Sequence, residues 1–221
     1  MANTGHFIVF EGPEGAGKST QIEALAGMLR HAGREVVVTR EPGGTPVGDA
    51  IRAVLLGSGD YDMLPETEAF LLSAARAQHV HDVIRPGIAR GAVVLCDRFA
   101  DSSLAYQGGG RGMSTAHLRC LERIAVGDVV PDVRILLDLP VEVGLRRRHR
   151  NADTVNRIDR ADVSFHQRVR QAYLQLVEAS PDDWVVIDAA RSPEVVLDDI
   201  RQAVESALAI SLVPPGAERQ V

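Results

Sequence analysis

Residues 7–20 constrain the fold more than any other part of the sequence. An apolar run ends at Gly12, and Gly17, Lys18 and Ser19 complete the spacing G-x-x-x-x-G-K-[ST]. Apolar residues at helical spacing follow, so the loop lies between a predicted strand and a predicted helix, as a phosphate-binding loop requires. The loop glycines allow backbone N–H groups to turn toward an anion, and the helix adds the positive end of its dipole. The pattern therefore predicts a nucleoside triphosphate site.

The residue types in this loop indicate separate roles. Lys18 is expected to reach the outer phosphates, and the Ser19 hydroxyl is expected to hold Mg²⁺. Among the 24 basic residues of the chain, Lys18 is the one lysine, which indicates a specific use for a compact ammonium group. The predicted ATP-binding residues are continuous: Gly12, Pro13, Glu14, Gly15, Ala16, Gly17, Lys18, Ser19 and Thr20.

The length of 221 residues fits one α/β domain, which we predict over residues 1–210, with a disordered tail at 211–221. A net charge of -6 argues against a protein that binds nucleic acid over its whole surface. The sequence shows neither a signal core nor an apolar run long enough to span a bilayer. We therefore expect a cytoplasmic protein with no membrane or nucleic-acid partner.

Five predicted strands alternate with helices, at about 6–10, 35–39, 92–96, 133–138 and 184–187. This order predicts a doubly wound, five-stranded parallel sheet with the phosphate loop on a central strand and ligands at the carboxyl edge. The run 92–96 is wholly apolar, which is typical of a strand buried on both faces. Between the strands, a helix is predicted at about 66–83, a connecting segment at 84–91 and a mobile glycine-rich connection at 108–112.

Two charged residues follow the apolar strand 92–96. Asp97 stands where an acidic residue commonly holds Mg²⁺, directly or through water. Arg98 offers a rigid donor fork to a second phosphate. A simple ion pair at the strand end is the alternative interpretation.

Four stretches make the sequence resemble thymidylate kinases of the bacterial type, which transfer a phosphoryl group from ATP to dTMP. The resemblance runs from Phe7 to about Ile210. It implies the phosphate-loop nucleoside monophosphate kinase fold, ATP and dTMP as ligands, Mg²⁺ as cofactor and a homodimer. The stretches are residues 11–20, Thr39-Arg40-Glu41-Pro42-Gly43-Gly44-Thr45, Asp97-Arg98-Phe99 and Ser102-Ser103-Leu104-Ala105-Tyr106-Gln107-Gly108.

The resemblance also implies how the acceptor nucleotide is held. Glu14 would meet the deoxyribose 3′-hydroxyl, and Arg52 and Arg98 would hold the dTMP phosphate. Ser103 and Tyr106 would line the sugar and base pocket.

For the base, the resemblance implies that Arg76 and Gln107 bond the thymine edge. Many members have Phe four residues before this arginine, where the present sequence has Leu72. Four helical steps leave Leu72 and Arg76 on one face, so we expect thymine to pack against Leu72. Pro42 stands where the family often has a cis peptide bond.

The arginine-rich segment 146–160 matches the family's lid over ATP. The eukaryotic form of the family has an arginine at the position of Gly15, so the resemblance implies that this chain takes its catalytic arginine from the lid. Arg157 is the best positional match, with Arg150 and Arg160 as alternatives. Lys18, Arg98 and Arg157 are thus the predicted catalytic residues, although a solvated basic surface is the other interpretation of the lid arginines.

Two other functions fit parts of the same pattern. A different nucleotide kinase or a deoxynucleoside kinase would share the fold and the phosphate loop. A phosphate-loop switch or ATP-driven binding protein would use the loop but would have no role for residues 97–108.

Overall fold

One parallel sheet forms the centre of the structure. The structure, a computed structural model, describes residues 5–57, 62–149 and 156–212. Its strands are β1 (His6–Glu11), β2 (Val36–Arg40), β3 (Val93–Asp97), β4 (Val133–Asp138) and β5 (Trp184–Asp188). They pair in the order β2-β3-β1-β4-β5, all parallel. The predicted doubly wound sheet is confirmed, and β1, which leads into the phosphate loop, lies at its centre.

Helices flank this sheet. They are α1 (Lys18–His31), α2 (Pro46–Leu56), α3 (Pro65–His79), α4 (Arg85–Ala89), α5 (Ala100–Ser103), α6 (Thr115–Val126), α7 (Val141–His149), α8 (Val163–Ala179) and α9 (Pro193–Leu208). Two π-helical segments, Val80–Ile84 and Leu104–Gly110, and a short 3₁₀ turn, Pro181–Asp183, complete the described elements. Among the described residues, no helix has both the length and the apolar character needed to cross a bilayer.

The core lies on both faces of the sheet because side chains of a strand alternate between its faces. In β1, Ile8 and Phe10 belong to a buried cluster that includes residues of α1 and α9. Phe7 and Val9 point into a second cluster with Phe99 on the opposite face. Both faces of β3 are equally inaccessible to solvent, as its apolar run predicts.

The chain after α3 differs from the prediction. A helix to residue 83 and a connecting segment at 84–91 were expected, but the backbone stays helical through the π-helical turn Val80–Ile84 into α4. Pro86 lies in the first turn of α4 and has no N–H to donate. The wider π turn shifts the hydrogen-bond register just before Pro86, the position that cannot contribute a backbone N–H.

The prediction of a mobile connection at 108–112 is wrong for most of its length. Leu104–Gly110 is an ordered π-helical segment that packs against α8. A Cβ atom on Gly109 would lie 2.5 Å from the Cβ of Ala172, and one on Gly110 would lie 2.5 Å from the ring of Phe165. These glycines therefore serve close helix packing and not flexibility.

The start of the predicted tail also differs from expectation. Leu212 is 1% exposed and belongs to the same cluster as Ile8 and Phe10, so the packed chain extends past residue 211. Residues 213–221 of the tail lie outside the described residues, as do lid positions 150–155.

Candidate active site

The phosphate loop joins β1 to α1 at the carboxyl edge of the sheet. Gly12, Gly15 and Gly17 have φ angles of 138°, 72° and 90°, in the left-handed region that favours glycine. Lys18 is 7% exposed, and its Nζ donates to the carbonyls of Gly12 at 3.1 Å and Pro13 at 3.2 Å. Burial, and then the charge of a neighbouring arginine, lower the pKa of Lys18. The loop is therefore curled around its own ammonium group.

An oxygen-rich pair lies at the first turn of α1. The Ser19 Oγ donates to the Asp97 Oδ2 at 3.0 Å, because β3 is paired with β1 in a register that sets Phe10 beside Asp97. Hydroxyl and carboxylate oxygens are ligands that Mg²⁺ prefers, with nucleotide phosphates and waters completing its octahedron. The described residues hold no group of three or more His, Cys, Asp or Glu side chains arranged for a metal. The pair fits Mg²⁺ that arrives with a nucleotide.

Arg98 is the cation at the centre of the site. Its backbone has a φ of 71°, unusual for a residue with a side chain. Its Nη1 donates to the Gly12 carbonyl at 3.0 Å and to the Tyr173 hydroxyl at 3.2 Å, and its Nη2 donates to Glu14 at 2.8 Å. The guanidinium carbon lies 4.7 Å from the centroid of the Tyr106 ring. These contacts aim Arg98 at the mouth of the phosphate loop.

Glu14 lies between the predicted donor and acceptor sites. Its Oε1 accepts from Arg98 and, at 3.0 Å, from the Tyr106 hydroxyl. Burial opposes ionisation, but Arg98 and then Lys18 lower the pKa of Glu14 to about 2. Glu14 is therefore an anion at neutral pH.

Glu11 is a buried acid to which we assigned no role from the sequence. It accepts from the Phe99 N–H at 2.9 Å, the Ser102 hydroxyl at 2.6 Å and the Tyr173 hydroxyl at 2.7 Å. Burial, and then the charge of Asp101, raise the pKa of Glu11 to about 7. The sequence signal for this site is an acidic residue at the end of an otherwise apolar strand, because a buried carboxyl group needs hydrogen-bond donors around it.

Arg76 is held in place by a second buried acid that the sequence prediction missed. Its Nε donates to Glu41 at 2.7 Å, its Nη1 to the Ser103 hydroxyl at 3.0 Å and its Nη2 to the Phe99 carbonyl at 3.0 Å. The second Glu41 oxygen lies 3.0 Å from the Nδ1 of His79. The peptide bond that follows Glu41 is cis. The predicted base contacts Arg76 and Ser103 are thus neighbours.

A third buried acid, Glu68, connects the predicted lid to the predicted base pocket. Its Oε1 accepts from the Gln107 Nε2 at 2.7 Å. Its Oε2 accepts from the Arg157 Nη2, while the Arg157 Nε donates to the Leu55 carbonyl at 3.1 Å. Arg157 therefore lies on the acceptor side, bound to α2 and α3. Arg160 is exposed, and Arg150 is outside the described residues.

Most of the predicted site residues, together with Glu41 and Glu68, border one cavity of about 560 Å³, whereas Glu11 and Tyr173 lie behind its wall. Gly12 and Pro13 do not line it, and they contribute the carbonyls beneath Lys18. Arg52 donates to the Pro42 carbonyl at 2.8 Å. The predicted residues that line the cavity are Glu14, Gly15, Ala16, Gly17, Lys18, Ser19, Thr20, Arg52, Leu72, Arg76, Asp97, Arg98, Ser103, Tyr106, Gln107 and Arg157.

Known proteins are similar to this chain in sequence and in fold. Residues 10–200 match the family model described as Thymidylate kinase. A thymidylate kinase of Thermomicrobium roseum is 56% identical over 194 residues, covering 88% of this chain and 91% of the relative. One from Pseudomonas fluorescens strain SBW25 is 51% identical over 208 residues, covering 93% and 95%. The crystal structure of thymidylate kinase from Ehrlichia chaffeensis superposes with a TM-score of 0.72 at 30% identity, covering 90% of this chain and 99% of that one.

Proposed function

This chain belongs to the thymidylate kinase family, and we propose how its own residues carry out that family's reaction, the phosphorylation of dTMP by ATP. One observation carries the proposal. The phosphate loop and the predicted acceptor residues, among them Arg98, Arg76 and Gln107, border the same cavity. Two nucleotides bound at its two ends would meet with their phosphates in line, which favours direct transfer without a covalent intermediate.

The phosphates would be held by cations that are already at the site. Lys18 exchanges the Gly12 and Pro13 carbonyls for phosphate oxygens of ATP, and Arg98 turns from Glu14 toward the dTMP phosphate together with Arg52. Fixed positive charge around the transferring group stabilises the transition state. The acceptor phosphate is largely ionised near neutral pH, so the reaction needs no general base.

Ser19 and Asp97 would hold Mg²⁺ through the Ser19 hydroxyl and the Asp97 carboxylate, whose oxygens lie 3.0 Å apart. Bound there, the ion supplies positive charge against the phosphate oxygens. The Ser19 hydroxyl now donates to Asp97, and a metal ligand would instead offer its lone pair, so the hydroxyl proton must turn away on binding.

The thymine base would lie between Leu72 and Arg76. Arg76 has five N–H donors, and three are used by Glu41, Ser103 and Phe99. The remaining donors suit an acceptor such as the thymine O4. Leu72 lines the same cavity and provides an apolar wall.

Arg157 is the proposed lid arginine of the transfer step. In the present arrangement its guanidinium is bound to Glu68 and to the Leu55 carbonyl. It lines the same cavity as Lys18 and Arg98, and to reach the transferring phosphoryl group it would have to leave these partners when the lid closes over ATP.

The protein is proposed to be a homodimer. Phe70 on α3 is 60% exposed and Ile124 on α6 is 75% exposed, although both are large apolar side chains. The two helices pack against each other. Apolar side chains on adjoining helices fit an interface between two copies of the chain.

Phosphate transfer from ATP to thymidine, dTMP, dUMP and dCMP tests the proposed function. We expect the highest kcat/KM with dTMP. Equal transfer to dCMP would favour another nucleotide kinase, and preference for thymidine would favour a nucleoside kinase. Slow ATP hydrolysis that dTMP leaves unchanged would place the protein among phosphate-loop switches.

A further inference from the structure

Glu68 occupies an unusual position for a carboxylate. It lies in the first turn of α3 and is 2% exposed, and it contacts three side chains from two other parts of the chain. Gln107 donates to one carboxylate oxygen of Glu68, and Arg157 donates to the other. The Arg111 Nη2 lies 3.5 Å from this second oxygen. Burial opposes ionisation, but the hydrogen bonds from Arg157 and Gln107 lower the pKa of Glu68. The side chain is therefore a carboxylate at neutral pH and can only accept hydrogen bonds.

The Glu68 carboxylate fixes the orientation of the Gln107 side-chain amide. The side-chain amide has an NH₂ donor end and a carbonyl acceptor end. Because Glu68 takes the NH₂ end at 2.7 Å, the carbonyl Oε1 is turned away from it. Gln107 is 3% exposed and lines the cavity, and among the described residues no donor reaches its Oε1. A buried acceptor of this kind favours a ligand that brings its own N–H.

The edge of a bound base would then meet a donor and an acceptor that line the same cavity. Arg76 presents only N–H donors, and Gln107 presents a carbonyl. Thymine and uracil match both groups, with O4 as the acceptor and N3–H as the donor. Cytosine carries an amino group at position 4 and an unprotonated N3, so it mismatches both groups in the same pose.

We propose that Glu68 is a positioning residue for base selection, which fixes the Gln107 amide so that the site accepts pyrimidines bearing N3–H and rejects cytosine. The inference rests on the proposed function, since it concerns the acceptor site of that reaction. Glu68 itself does not have to touch the nucleotide. Its effect comes through the orientation of Gln107.

The test is Glu68→Gln, which keeps the volume but offers either a donor or an acceptor to Gln107. The Gln107 amide is then free to rotate and present its NH₂ end. We expect the ratio of kcat/KM for dTMP to that for dCMP to fall by about 10-fold or more, because a site loses discrimination when its polar groups are no longer fixed. The ratio for dTMP to dUMP should not change, since both bases carry N3–H and O4. Because Glu68 also holds Arg157, all three values of kcat/KM can fall together; a fall that leaves the dTMP to dCMP ratio unchanged would overturn the proposal.

Two further variants complete the test. Glu66→Gln makes the same charge change at an exposed position of α3 and should leave both ratios at the wild-type values. In a Gln107→Ala background, Glu68→Gln should have no additional effect on the dTMP to dCMP ratio, and a full effect there would overturn the proposal. If Glu68→Gln does not fold, Glu68→Asp takes its place, because the shorter carboxylate no longer reaches the Gln107 Nε2. Wild-type protein without a preference for dTMP over dCMP would instead contradict the proposed function.

Discussion

At the scale of single residues, Lys18 allows the phosphate loop to be labelled selectively. It is the one lysine of the chain, and it is buried against two loop carbonyls. An amine-reactive reagent should therefore modify Lys18 and the N-terminus alone, and MgATP should protect Lys18. Peptide mass mapping with and without MgATP measures this protection. Labelling of Lys18 that saturating MgATP leaves unchanged would contradict the loop assignment.

The variant Lys18→Met should abolish phosphoryl transfer. Circular dichroism should show that this variant is still folded.

Glu11 should make stability depend on pH. Its pKa is about 7 in the folded protein against an ordinary value of 4.5. Between these two values the folded state holds a proton that the unfolded state has lost, so the free energy of unfolding falls as pH rises. The fall is at most about 1.4 kcal/mol per pH unit and ends once the folded-state carboxyl is also ionised.

Glu11→Gln should remove this dependence. The Ser102 and Tyr173 hydroxyls lie 2.8 Å apart and can exchange donor and acceptor roles, so an amide fits in their network. As pH rises from about 5 to about 8, the free energy of unfolding of the variant should increase by about 1–3 kcal/mol relative to that of wild type. Urea unfolding at several pH values measures the difference, with Glu66→Gln as the exposed control. Parallel stability profiles for wild type and Glu11→Gln would show that Glu11 ionises normally.

The residues that could be predicted from sequence are those inside short motifs with fixed spacing. Lys18, Ser19 and Asp97 follow directly from the loop spacing and the end of an apolar strand. The buried acids that hold Arg76 and Gln107 could not be assigned to these partners in this way. Glu41 and Glu68 find their partners 35 and 39 positions away, and no local pattern marks such a pair.

At the scale of elements, the glycines of the π-helical segment Leu104–Gly110 determine how closely it packs on α8. Gly109→Ala should destabilise the protein by about 1–3 kcal/mol, because the added Cβ would lie 2.5 Å from the Cβ of Ala172. Gly108→Ala is the matched control, since its Cβ would meet Leu118 at an ordinary 3.4 Å. Thermal unfolding of both variants measures the contrast. Equal melting temperatures would mean that the packing relaxes without cost.

The lid prediction concerns rate more than binding. Arg157→Ala should lower kcat by roughly 10³-fold if this arginine stabilises the transition state as an arginine finger does. The KM for dTMP should change little. Arg160→Ala tests the alternative lid arginine, and Arg90→Ala, at an exposed arginine outside the lid and the cavity, is the control. A variant within a few-fold of wild type would move the role to another arginine of the segment.

Strands and most helices were predictable because alternation and helical spacing are local properties of the sequence. The two π-helical segments were not. A π turn shifts the register by one residue and leaves the apolar pattern almost unchanged. The run Gly108-Gly109-Gly110 also has the composition of a flexible loop, and only the proximity of Ala172 and Phe165 in three dimensions shows its packing role.

At the scale of the whole molecule, the proposed homodimer has a direct test. Light scattering should give the mass of two chains, and Ile124→Arg should shift it toward one, because a buried guanidinium without a partner is costly. Val195→Arg on α9 is the control, since Val195 is also an exposed apolar residue, 44% accessible, on a different helix. A wild-type mass of one chain, or a dimer that tolerates Ile124→Arg, would contradict an interface at α6.

The buried lysine also affects how the whole protein takes up and releases protons. In most proteins, lysine ammonium groups supply the protons released between about pH 9 and about pH 11. In this chain, every basic residue other than Lys18 that is counted among the lysines and arginines is an arginine, whose guanidinium keeps its proton throughout this range. Burial also raises the pKa of Cys96, Tyr106 and Tyr173 well above their ordinary values. Electrophoretic mobility in mildly alkaline buffer should therefore change less steeply with pH than that of a lysine-rich protein of similar size.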